Sequence, residues 1–226
     1  GSVGNINHAV IEYGGQFRGV VDVAQMENFG GSISIRDSVF RFPFSNYHFF
    51  QSFTSASSTV FSSEFSGGGQ AIVAKGGSID IQSSNVHDST ERGLSVSGGT
   101  VVNLVGTDFT ANTGVAVYIQ PPIMFTHSGN HISGSSPNGF VIHGTINSDM
   151  NLTDEGIPYV FSSHLIDFGK TLTLGPGVVM KIFPNSLIQV AGTLITQGAS
   201  DHPVFITSLN NDFVGGDSNG DGGTTI

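Results

Sequence analysis

The sequence predicts an all-β chain built as a parallel β-solenoid of about ten stacked coils, and three observations carry that reading. Short strands with alternating apolar residues recur at a near-constant interval, turn-forming residues separate them, and charged residues are scarce. Gly accounts for 32 of the 226 residues, whereas Asp, Glu, Lys and Arg together make up 11%. A helical protein of this size needs Lys, Glu, Ala and Leu on its exposed faces. Here Ser, Thr, Asn and Gly must fill those positions, and they suit strands and turns.

The repeat can be read directly. Val86, Phe109 and Ile132 each follow an alternating strand and a short polar stretch, and successive anchors are 23 residues apart. Ile79 and Ile81 precede the first anchor, Val102 and Leu104 the second, and Phe125 the third. Earlier copies place Ile33 and Ile35 before Phe40, and Val60 before Phe65. A further strand follows each anchor, at 71–74, 93–96, 114–119 and 139–142, and Gly93, Gly114 and Gly139 open three of them. No coil of that length can bury its own apolar face, so the coils must stack, like residue upon like. Asn and Asp are expected to stack at the corners and satisfy turn backbone groups, with Gly wherever φ must be positive. About ten coils at ~4.8 Å spacing give a rod of roughly 45–50 Å.

From Asn151 onward the segments change character. Leu172, Leu174, Gly175, Pro176, Gly177 and Val178 are followed by Val190, Gly192, Thr193 and Leu194. Pro203, Val204, Phe205 and Ser208 come next, and then the tail Asp212, Gly216, Asp217, Asn219, Asp221 and Gly222. This run resembles the opening coils of right-handed β-helix domains in large bacterial surface proteins. The start of the chain, with Asn5, Asn7, Val10 and Ile11, resembles coils that come soon after such a tail. The resemblance implies right-handed coiling and a secreted or cell-surface location. It divides a single β-helix over residues 1–226 into body coils at 3–148 and coils at 149–226 that resemble the start of a following unit, ending in an acidic Gly-rich loop. The chain then reads as a repeat cut out of phase from a tandem array. Its ends expose unpaired strand edges, and the expected partners are other copies end to end or neighbouring repeats of the same chain.

Charge narrows the function. The net charge is −10, with no basic stripe for phosphates, so nucleic acid and anionic membrane surfaces are not expected partners. No run is apolar enough to insert in a membrane as a helix. Cysteine is absent, which removes thiol chemistry. The strongest local motif is Asp217, Asn219, Asp221 and Gly222, with Asp212 nearby. Oxygen ligands at alternate positions can wrap Ca²⁺ while Gly lets the loop turn. The competing reading is a plain Asp/Asn/Gly turn.

Catalysis is not expected. The seven bases are scattered, and the nearest approach to a constellation is His87 and Asp88 with Glu91 and Arg92 in one turn. His127 and His131 are four apart, a spacing that suits a helical metal site rather than a strand. The stretch 39–53 is dense in Phe and reads as a ladder of rings inside the core. The competing reading is an outer aromatic patch, with Tyr47 and His48 as contacts for carbohydrate or a partner chain. The expected function is a structural or adhesive module of an extracellular protein, self-assembling head to tail and stabilised by calcium. The alternative is a carbohydrate-binding or polysaccharide-degrading, lyase-like β-helix.

Overall fold

The computed structural model describes residues 2–12, 24–42, 48–162 and 164–223. Among these residues there is no helix. The chain is an all-β parallel solenoid, and each coil contributes short strands to three sheets. The first sheet stacks six strands from Val3–Asn7 to Met124–Ser128, and the second stacks six from Val10–Glu12 to His131–Ser133. The third runs through nine, from Ala24–Asn28 to Phe205–Ser208. Every pairing is parallel. Nine rungs separated by eight steps make about eight turns rather than ten. The longer coils at the start, such as the 29 residues separating paired Val10 and Val39, use up chain that a 23-residue period would have spread over more turns.

Register explains the core. Ile6, Ile35, Val60, Ile81, Leu104 and His127 stack in one inward column of the first sheet. Ile11, Phe40, Phe65, Val86, Phe109 and Ile132 do the same in the second. One continuous apolar cluster runs from Ile35 to Met180. The Phe-rich segment belongs to it: Phe40, Phe49, Phe50 and Phe65 are fully buried, and the Phe40 and Phe65 rings stack 4.6 Å apart.

The corner between the first and second sheets is built by repetition. His8, Asp37, Ser62 and Ser83 hold φ of 47–50°, and Gly106 and Gly129 follow at 55° and 64°. Gly is therefore not required at this corner, because a single residue with φ near 50° is tolerable when its backbone is held. The next coil holds it: the N–H of Asp37, Ser62, Ser83 and Gly106 donates to the carbonyl of Phe61, Gln82, Val105 and Ser128, at 2.9–3.1 Å. One residue further on, Ser38, Ser63, Ser84, Thr107 and Asn130 form a buried polar ladder. The backbone N–H groups of Ala9, Ser38 and Ser63 donate to the hydroxyls of Ser38, Ser63 and Ser84, and that of Thr107 to the Asn130 side chain. The serine hydroxyls in turn donate to the carbonyl two residues back. No buried hydroxyl of this set lacks a partner, as burial demands.

Gly93, Gly114 and Gly139 have a different cause. Their φ is not positive. A Cβ at Gly114 would lie 2.1 Å from the Glu91 carbonyl oxygen, and one at Gly93 or Gly139 would lie 2.7 or 2.6 Å from the neighbouring coil's backbone oxygen. These glycines permit close approach of coils, not a special turn.

Between residues 133 and 150 two of the three sheets are interrupted. The first and second sheets end at Met124–Ser128 and His131–Ser133, and separate two- and three-stranded sheets begin with His164–Ile166 and Met150–Leu152. The third sheet and the apolar core pass straight through. The interruption is filled by a buried polar group. His127 Nδ1 lies 2.7 Å from Glu155 Oε1, and its Nε2 meets the Tyr159 hydroxyl, which donates to the Thr153 carbonyl at 2.7 Å. Burial pushes the Tyr159 hydroxyl well above the ordinary tyrosine value, with Glu155 and Asp154 adding to the effect.

Candidate functional site

The acidic loop sits on the outer face of the third sheet. After Phe205–Ser208 the chain turns at Leu209, which is buried against Val141 and Val160. It then runs back over the sheet. Asp212, Asp217 and Asp221 place one carboxylate oxygen each within 4.8 Å of the others. Ligands on a Ca²⁺ at about 2.3–2.6 Å can be up to roughly 5 Å apart across the ion, so the three separations fit that ion's shell. The loop is wound by its own bonds: Gly220 N–H donates to Asp217 Oδ1 at 2.7 Å and Gly222 N–H to Asp217 Oδ2 at 2.9 Å. Asn219 turns its amide to Asp221 Oδ2, 2.7 Å away, and its Oδ1 accepts from the Asp221 N–H. Of the four residues read as metal ligands, the structure thus gathers the three aspartates, while Asn219 serves the turn.

Lys181 lies beneath this loop, and its importance was not visible in the sequence. It is fully buried and donates from Nζ to the carbonyls of Asn211, at 2.9 Å, and Gly216. Burial pulls its ammonium below the ordinary lysine value, and the nearby Asp212 and Asp217 carboxylates pull it back up. A buried charge is tolerable only when paired and hydrogen-bonded, and here both conditions are met. The only sequence signal was a Lys flanked by Met180 and Ile182 in a strand, one outward position on an alternating pattern.

The other expected sites are dispersed. His48 is buried, with Nδ1 3.2 Å from the Gln70 carbonyl, so it offers no outer contact surface. The reason is that outward positions of the third sheet at this height are covered, as Val73 beside it is. Tyr47 lies outside the described residues. His127 and His131 part company because strand alternation sends one inward and leaves the other exposed, 3.9 Å from Asp108. His87 stands between Glu64, 3.5 Å from Nε2, and Asp88, 2.7 Å from Nδ1. These groups border an open groove of about 590 Å³ along the first corner, lined by Asp37, Glu64, Asn85 and Asp108. Glu91 and Arg92 lie elsewhere: Glu91 accepts from the Gln70 amide, and the Arg92 guanidinium stacks 3.8 Å over the Tyr118 ring.

Comparison with known proteins adds one local likeness. Over 69 residues the chain is 38% identical to Protein bark beetle of Drosophila melanogaster, a stretch covering 30% of this chain and 2% of that protein. A match that short relates two segments, not two whole proteins. No family model matches the chain, and no solved structure matches it.

Proposed function

We propose that this chain is a structural module, a rigid β-solenoid rod of a secreted or cell-surface protein that docks end-on against another coil of its own kind. One observation carries the reading: the terminal coils leave inward-facing apolar side chains uncovered. Ile206 is 47% exposed, although its register partner Met180 is fully buried. Val190 is 51% exposed above a fully buried Ile166. At the opposite end Ile6 and Ile11 are only partly buried over Ile35 and Phe40. Each end also offers a row of strand N–H and C=O groups directed along the rod. A second copy, added head to tail, would continue both the ladders and the core. In a longer polypeptide the same role would fall to adjoining repeats.

Sedimentation velocity over a rising concentration series tests this. Wild type should form a growing series of species, and V190K/I206K should remain monomeric, because each Lys would have to be buried at the contact. Identical monomeric behaviour of both would reject end-on docking. Calcium belongs to the same reading. Three carboxylates against one ammonium leave two negative charges, which a divalent ion matches, and Asp212, Asp217 and Asp221 would hold it. Titration calorimetry with calcium chloride should show binding that D217N/D221N abolishes; no heat at millimolar calcium would remove the ion from the account. The matching relative is an insect protein, so the likeness to bacterial surface proteins supports the architecture rather than the source.

A further inference from the structure

The geometry points to residues 209–223 as a clamp that crosses the interrupted region of the solenoid and ties its last coils to those before the break. Elsewhere, backbone pairing links each coil only to the next, about 21–29 residues along. This segment instead spans from the ninth rung of the third sheet to residues 136–138, just ahead of the sixth. The Asn138 N–H donates to the Ser218 carbonyl at 2.8 Å, and its Nδ2 donates to the Asp217 carbonyl at 3.1 Å. Ser136 Oγ donates to the Asn219 carbonyl at 3.0 Å, across 83 residues of sequence. Lys181, on the eighth rung, anchors the middle through Asn211 and Gly216. Packing seats the segment as well: a Cβ on Gly215 would come within 3.0 Å of Val179 and 3.2 Å of Lys181, and Leu209 is buried with Val141 and Val160.

The location gives the segment its role. At the break the first and second sheets contribute no backbone ladder, so only the third sheet and the core join the two stacks. In a solenoid, stability is a sum of coil and nearest-neighbour terms, and one weak interface would let the stacks separate there. The clamp adds contacts at that interface from outside, on the one sheet that is continuous. Lys181 is a positioning residue for it: a cation that satisfies two carbonyls and faces Asp212 and Asp217 from below.

Hydrogen exchange on the intact chain tests the inference. In K181M, which keeps the length of the side chain and removes the ammonium, amides of 209–223 and of 134–142 should exchange at least ten-fold faster. Amides of 78–105, several coils away, should be unchanged. If 209–223 keep their protection, Lys181 does not anchor the segment. If 209–223 are released while 134–142 stay protected, the segment is a cover and not a clamp. N138D provides a second route, since it keeps the acceptor for the Ser135 N–H and replaces the donor to Asp217. It should speed exchange at 134–138 and 216–222 with 78–105 intact, and unchanged exchange there would overturn the proposal even if K181M fails to fold.

Discussion

Asn130 meets Glu155 at the point where the internal polar ladder stops: its Nδ2 lies 3.3 Å from Glu155 Oε1 while also donating to the Leu104 carbonyl at 2.9 Å. Every rung above is a hydroxyl or amide that accepts a backbone N–H from the coil before. Glu155 is the last acceptor, placed where backbone N–H groups all point towards it, and it also receives His127. The interruption of two sheets is therefore finished by a carboxylate instead of by another strand.

Truncating that carboxylate should be costly. E155A leaves the Asn130 amide and His127 Nδ1 buried and facing a void, and removal of one partner from a buried pair costs about 3–5 kcal/mol. E155Q keeps an acceptor for Asn130 and should cost about half as much or less. Urea denaturation of the three proteins checks this; a loss below ~1 kcal/mol for E155A would mean that the joint does not depend on Glu155.

The aromatic ladder sets the stability of the early coils. Phe65 is fully buried, stacked on Phe40 and edge-on to Phe49. F65A should destabilise by about 3–5 kcal/mol, read from the shift of the urea midpoint. An equal shift for the exposed Phe213 would show that ring stacking in the core is not what is being measured.

Close coil contact, not turn geometry, explains Gly114. G114A would place a methyl 2.1 Å from the Glu91 carbonyl oxygen, forcing adjacent coils apart at a cost of about 1–3 kcal/mol or more. G129A offers the contrast, since its Cβ meets nothing and only its φ of 64° is strained. Thermal melts should place G114A clearly below G129A, and the reverse order would contradict the close-approach account.

Acid should weaken the fold through His164. Its ring is buried against Phe161, and Nδ1 donates to the Ser162 carbonyl. Burial lowers its pKa beneath the ordinary 6.5, the Ser162 bond opposes this, and His143 adds to it. The unfolded chain therefore takes up the proton first, so the His164 contribution is complete above pH 6.5 and is lost as pH falls through that value. H164L should show a shallower fall in urea midpoint between pH 7.5 and 5.5 than wild type. Parallel pH profiles would assign the acid sensitivity to other groups.

The architecture could be read from the chain because a solenoid repeats its causes. Val86, Phe109 and Ile132 fall at one height of one sheet, as their 23-residue spacing required. Alternation identified the inward rows, and the Phe-rich stretch went inside for the same reason. Lys181 could not be found that way. Its burial depends on a segment 30 residues further on returning over an outer face, and period-2 reasoning assigns every outward residue to solvent. Glu155 was hidden for a related reason: it closes a ladder whose members are Ser, Thr and Asn, and no local pattern marks where a ladder ends. The three aspartates were legible because they are close in sequence, whereas the turn used by Asn219 depended on side-chain direction alone.

Negative-stain electron microscopy of the purified chain, with millimolar calcium and again with EDTA, tests the central claim most directly. End-on docking predicts filaments one solenoid wide and many times the roughly 40 Å that eight steps of ~4.8 Å span, shortened or dispersed by EDTA where calcium secures the loop. Uniform short single rods in both buffers, at every concentration, would contradict it.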